Sequence, residues 1–77
     1  MPYLVLVQVA RAEFLDRMAT MRMWLDHQRW EPELFRFEPD ADGMVFEVEF
    51  ADHHQALGFA RAFDGRVITH TPAVSAA

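Results

Sequence analysis

The spacing of the apolar residues changes five times along this 77-residue chain, and each change marks a new element of secondary structure. Residues 3–9 form a nearly continuous β-branched run, which is typical of a central strand. From about residue 11 to residue 30, apolar positions recur at helical steps of four, three and four. These positions are Phe14, Met18, Met21 and Leu25. The chain therefore begins with a strand and a long helix.

The middle of the chain predicts a β-hairpin. Pro32 should end the first helix near Trp30, because proline disfavours helical angles in the residue before it. Residues 34–38 then alternate with period two, and the turn-rich segment 39–43 ends in a glycine that can adopt a positive φ. Residues 44–50 alternate again.

A second helix is predicted over residues 52–63. Asp52 and Gln55 match a capping box at its N-terminus, and Gly65 suits the left-handed position after its C-terminus. A short last strand follows at residues 66–70, and the small residues 71–77 are expected to form a flexible tail. Residues 1–70 therefore predict a single α+β domain.

The order strand, helix, strand, strand, helix, strand is similar to that of the ferredoxin-like βαββαβ sandwich. This resemblance implies a four-stranded antiparallel sheet with two helices on one face, and right-handed crossovers would place the first and third strands in the middle. Arg36, Arg66 and flanking prolines suit the other two strands to the edges. The residues expected in one core are Phe14, Met18, Met21, Leu25, Phe46, Val48, Phe59 and Phe63. Such a fold implies no activity by itself.

The composition indicates self-association. A domain of this size buries only about 60% of the surface of its unfolded chain. Yet 52% of the residues are hydrophobic and none is cysteine, so disulfides cannot compensate for a small core. The first strand is also apolar on both faces, and only one face can meet the helices. We therefore expect a homodimer.

Charge and sequence pattern exclude several partners. The formal net charge of -5 disfavours nucleic acid, because phosphate backbones attract basic surfaces. The apolar run 4–7 is too short for a signal peptide or a membrane span, so we expect a cytoplasmic protein without a membrane partner. Residues 38–43 are acidic but lack the remaining oxygen ligands of a calcium loop. No cofactor is expected.

The histidines and tryptophans are the candidate ligand-binding residues. His53 and His54 are adjacent in a helix and diverge by about 100°, which disfavours a metal site. An aromatic patch is the better candidate for binding a small molecule, which the sequence does not identify. Its residues are Trp24, His27, Trp30 and His70. Tryptophan also suits helix packing and subunit contacts, and that interpretation is favoured.

The sheet face that points away from the helices is the predicted dimer interface. It carries either Leu4 and Leu6 or the alternate residues of the first strand. Arg36 on the second strand and acids on the third are placed to form cross-strand ion pairs. The candidate interface residues are Leu4, Leu6, Arg36, Val45, Glu47 and Glu49. These acids disfavour RNA recognition, which uses aromatic and basic residues on such a face.

Two functions of different classes remain open. The favoured one is a small interaction or regulatory module that homodimerises and has no chemistry of its own. The alternative is a small-molecule-binding or cofactor-free enzymatic domain of the dimeric α+β barrel kind, with a pocket lined by the aromatic patch. An enzyme is the less favoured class, because the sequence contains no nucleophile in a glycine-framed turn and no glycine-rich phosphate loop.

Overall fold

The predicted order of strands and helices is also the order in a computed structural model of the chain, which describes residues 2–68. The elements are β1 (Tyr3–Val9), a 3-10 turn (Arg11–Glu13), α1 (Phe14–Gln28), β2 (Leu34–Asp40), β3 (Gly43–Phe50), α2 (His53–Phe63) and β4 (Arg66–Ile68). The end of the predicted last strand, His70 and the predicted tail 71–77 lie outside the described residues. The described part has an α+β fold.

The strands form one antiparallel sheet in the order β2-β3-β1-β4, so β1 and β3 are central, as predicted. The register places Val5 of β1 opposite both Val48 of β3 and Val67 of β4. These three side chains point the same way, because side chains alternate between the two faces along each strand. Val5 and Val48 are fully buried, which identifies theirs as the face packed on the helices.

One hydrophobic core joins this face of the sheet to both α-helices. Its buried residues are Val5, Val7, Val9, Met21, Leu25, Phe46, Val48, Phe50, Ala56, Phe59, Ala60 and Phe63. Of the predicted core residues, Phe14 and Met18 are only half-buried and pack against the edge of this cluster. The ring of Phe14 lies at the start of α1, between Phe46 and the partly exposed Phe37.

Both α-helices end on a left-handed residue that is not glycine. Arg29, with a φ of 62°, ends α1 and donates its N–H to the carbonyl of Asp26. Asp64, with a φ of 58°, ends α2, so the prediction that Gly65 takes the left-handed position is wrong. Gly65 meets a different requirement, since a Cβ there would lie 2.8 Å from the carbonyl oxygen of Leu6. Backbone approach, and not helix termination, therefore explains this glycine.

The start of α2 and the hairpin follow the sequence predictions closely. Asp52 caps α2, although its side chain accepts from the N–H of His54, at 3.4 Å, and not from that of Gln55. Gly43 has the expected positive φ, here 154°. A Cβ at Gly43 would overlap the carbonyl oxygen of Val9, so the hairpin end approaches β1 too closely for any other residue.

The molecule is thin in one direction, with principal extents of 36 × 32 × 17 Å. A thickness of 17 Å corresponds to one sheet and one helix layer, since packed layers lie about 10 Å apart. Neither helix in the described range is long and apolar enough to cross a membrane.

Candidate functional site

The first candidate surface is the open face, which we define as the side chains of the sheet that point away from the helices. The register assigns Leu4 and Leu6 to this face, because Val5 and Val7 are buried in the core. The same alternation brings the six predicted interface residues onto this one face. These residues are Leu4, Leu6, Arg36, Val45, Glu47 and Glu49. The sequence did not decide which residues of β1 lie on this face, and the register shows that they are the leucines.

Apolar side chains share the middle of the open face with Glu47 and Glu49 of β3. Leu4 and Leu6 lie on central strand β1, and Val45 lies on central strand β3. Ile68 of β4 extends this apolar strip beside Leu4, whereas Leu34 of β2 is separated from Leu4 by Glu49 of β3. All five apolar side chains are half-buried by their neighbours within the sheet. No other element of the described chain covers them.

The predicted cross-strand ion pair forms between Arg36 of β2 and Glu47 of β3. Nε of Arg36 donates to Oε1 of Glu47 at 2.5 Å. The arginine side chain is 64% exposed and that of the glutamate is 15% exposed. Hydrogen bonds from Arg36 and from Glu38 lower the pKa of Glu47, and the hydrogen bond to Glu47 raises the pKa of Glu38. Glu38 therefore holds its proton more tightly than an ordinary glutamate, whereas Glu47 stays ionised.

The hairpin end of the open face is polar. Nε2 of Gln8 donates to Oδ2 of Asp40 at 2.5 Å and links β1 to the end of β2. A shallow hollow of about 420 Å³ lies beside this bond. Its walls are Leu6, Gln8, Asp40, Val45, Asp64 and Arg66. The hollow thus adjoins the apolar strip, since Leu6 and Val45 belong to both.

Trp24 belongs to the packing between the helices. Its ring makes edge contacts with Phe59 and Phe63 of α2, each with centroids 5.7 Å apart, and with Trp30 at 5.4 Å. Trp24 is half-buried and packs against the core. These contacts account for Trp24 by helix packing.

Trp30 lines the second candidate surface, which we call the α1 groove. This groove has a volume of about 360 Å³ and lies between the C-terminal half of α1, the following loop and β2. Its lining residues are Arg22, Leu25, Asp26, Trp30, Glu31, Pro32 and Phe35. The guanidinium carbon of Arg22 lies 5.1 Å from the centroid of the Phe35 ring, which is a cation–π contact. The groove therefore combines aromatic walls with charged groups.

The histidines do not converge on one site. His27 is exposed and does not line the α1 groove. His53 stacks on Tyr3, with centroids 4.8 Å apart, whereas His54 makes an edge contact with Trp30 at 6.4 Å. Across residues 2–68, no three side chains of the metal-ligating types lie close enough to hold an ion. His70, the remaining candidate, lies outside the described residues.

Arg22 and Phe35 are site residues that the sequence did not single out. Arg22 lies off the apolar stripe of α1, so it resembles any solvated residue in the sequence, and Phe35 resembles any inward residue of a strand. Their contact depends on how α1 crosses β2, which is a tertiary property. The closest sequence indication was Trp30 followed by Pro32, which marks an aromatic residue at a sharp helix exit.

Comparisons of the chain with models of known protein families, with curated proteins and with solved structures give no significant match. Geometry and chemistry therefore carry the functional argument.

Proposed function

We propose that the chain is a small interaction module that forms a homodimer through its open face and has no chemistry of its own. The observation that carries this proposal is the apolar strip at the centre of a sheet face that the described chain leaves uncovered. Leu4, Leu6 and Val45 lie on the two central strands, where solvent exposure of apolar surface is least favourable to a monomer. The strand order also supports the proposal that the fold is the ferredoxin-like sandwich.

The size of the open face limits how such a dimer forms. Three strands of seven or eight residues and the three residues of β4 span roughly 400 Å² at standard strand spacings. A stable interface buries about 800 Å² on each partner. A dimer must therefore use at least the whole face, including the charged residues, and a two-fold axis would bury the same patch on both copies.

The internal ion pair makes burial of the charged rows feasible. Arg36 and Glu47 already neutralise each other within one chain, so a second copy would meet a nearly neutral pair and not two free charges. The hydrogen bond to Glu47 raises the pKa of Glu38, so Glu38 loses its charge more readily than an ordinary glutamate. The other charged residues of the open face are those that a partner has to match, and they would set the register of the contact. They are Glu38, Asp40, Glu49 and Arg66.

Light scattering at increasing micromolar concentration tests the proposal. We expect the wild-type mass to approach twice 8.9 kDa. Leu6→Glu and Val45→Glu should each give the monomer mass while circular dichroism stays native. The matched control is Leu15→Glu, because Leu15 is a leucine of α1 that is 73% exposed and distant from the open face. A wild-type mass that stays near 8.9 kDa refutes the dimer. If only Leu15→Glu dissociates the dimer, the contact between the copies lies on the helices and not on the open face.

A second candidate function is small-molecule binding, favoured by one specific observation. The α1 groove has a volume of about 360 Å³, which is within the usual range of ligand pockets, and the indole of Trp30 lines it. Trp30 is one of the predicted ligand-binding residues, whereas Trp24 is used in helix packing and His27 points elsewhere. The ligand pocket we propose therefore includes Trp30 of the predicted aromatic patch, but neither Trp24 nor His27.

Nucleic acid, metals and cofactors have no role in either proposal. The net charge of -5 opposes a phosphate backbone, and the cytoplasmic location remains our proposal. A filter-binding assay at low salt should detect no tight RNA or DNA complex.

A further inference from the structure

We propose that the α1 groove binds an organic cation, namely a quaternary ammonium or a guanidinium group. This inference rests on the second candidate function and gives its ligand a chemical class. The groove has an apolar floor that includes Leu25 and Pro32, aromatic walls from Trp30 and Phe35, and carboxylates at its mouth. Aromatic faces combined with carboxylates are the groups that recognise weakly hydrated cations.

The charged groups that line the groove, Asp26, Glu31 and Arg22, leave it with one more negative than positive charge. Asp26 and Glu31 are both exposed at the mouth. Within residues 2–68 the one ion pair is that of Arg36 with Glu47, so neither of these carboxylates has a charged partner there. The C-terminal end of α1 adds partial negative charge, because the last carbonyls of a helix point toward this end. These three sources favour a positively charged ligand.

The aromatic wall already accepts a cation from the chain itself. The guanidinium of Arg22 lies over the ring of Phe35 at 5.1 Å. Asp26 is four residues further along the same helix, a spacing that commonly forms ion pairs, but Arg22 contacts the ring instead. The geometry therefore places a planar cation on Phe35 while leaving Asp26 free for another one. We regard Arg22 as an internal competitor for the ligand.

A second hollow continues the groove around the end of α1. It has a volume of about 590 Å³ and shares Leu25, Asp26, Trp30 and Glu31 with the first, while adding Arg29 at its far side. The carboxylates and the indole thus lie at the middle of the combined groove, and the two arginines lie at its ends. The charged groups that the two hollows share are both carboxylates, which is why we infer a cation.

The test compares choline with its neutral carbon isostere, 3,3-dimethylbutan-1-ol, and with benzoate as the anionic probe. Binding is followed by the NMR resonance of the Trp30 indole N–H. We expect millimolar binding of choline, with the isostere about two- to fivefold weaker because it lacks the cation–π attraction. Asp26→Asn should weaken choline binding about two- to fivefold as well. Asp16→Asn is the matched control on the exposed surface of α1, and it should change nothing.

Arg22→Ala gives the sharpest outcome. Removing the internal competitor frees the Phe35 ring, so choline should bind more tightly than to the wild type. Weaker choline binding by Arg22→Ala, or equal binding of the neutral isostere, overturns the cation inference. Binding of benzoate but not of choline also overturns the cation inference, although it still supports small-molecule binding. If none of the three probes binds, both the cation inference and the proposal of small-molecule binding fail. The dimer is judged separately by light scattering.

Discussion

Phe46 occupies the centre of the core, and its replacement by alanine should remove a large part of the stability of the domain. The side chain is fully buried on central strand β3. Its ring lies between three others, with centroid distances of 5.4 Å to Phe14, 5.9 Å to Phe35 and 6.1 Å to Phe37. Alanine would leave a cavity that these rings cannot fill without distorting the sheet, because β3 is held between two neighbouring strands.

The expected loss is about 3 to 5 kcal/mol of unfolding free energy, the usual range for a buried phenylalanine cut to alanine. A chain of 77 residues has a total of about 4 to 12 kcal/mol. The variant therefore loses between about a quarter and all of its stability. Phe46→Leu, which keeps most of the volume, should cost no more than about 1.5 kcal/mol and keeps the experiment measurable if the alanine variant does not fold.

Urea denaturation followed by circular dichroism measures these values, at one fixed protein concentration because association stabilises the folded state. Phe37→Ala is the matched control. Phe37 belongs to the same cluster of rings, where it contacts Phe14 and Phe46, but it is 44% exposed on an edge strand. Its replacement by alanine should therefore cost about 1 to 2 kcal/mol of unfolding free energy. If Phe37→Ala costs as much as Phe46→Ala, or if Phe46→Ala costs under about 1 kcal/mol, the described core is wrong.

Two further predictions follow from the hairpin and the open face. Gly43→Ala should cost at least about 2 kcal/mol in the same assay, because the new Cβ would overlap the Val9 carbonyl, whereas Gly58→Ala should stay within about 1 kcal/mol since only the edge of the Trp30 ring is near. Carboxyl NMR titration should show the pKa of Glu47 below, and that of Glu38 above, the usual glutamate value. Glu47 then stabilises the fold above its unfolded pKa, and this contribution is lost as the pH falls through its folded pKa. Glu38 acts in the opposite sense. It stabilises the fold below its unfolded pKa, and this contribution is lost as the pH rises through its folded pKa. Arg36→Ala should raise the pKa of Glu47, and an unchanged titration would contradict the assigned ion pair.

The sequence predicted the elements and the hairpin because periodicity and turn chemistry are local properties. It could not choose the face of β1 that meets the helices, because Leu4 and Val5 are equally apolar and only tertiary packing distinguishes them. The end of α1 at Arg29 has no glycine to mark it, so proline at position 32 set the predicted end slightly late. The sequence grouped Trp24 with His27 because their spacing places both on one face of a helix. The indole of Trp24 instead packs on α2, whose position is not a local property.

The register of β1 has a consequence for how the chain folds. Val5, near the start of the chain, is opposite Val48 on one side and Val67 on the other, so both ladders of β1 close over long stretches of sequence. Contacts between distant residues form late, because loop closure costs entropy before any contact compensates for it. During synthesis, β1 leaves the ribosome first and stays unpaired until the hairpin has emerged. An apolar strand that waits for its partners is exposed to chaperones and to other chains, so β1 is aggregation-prone during this interval.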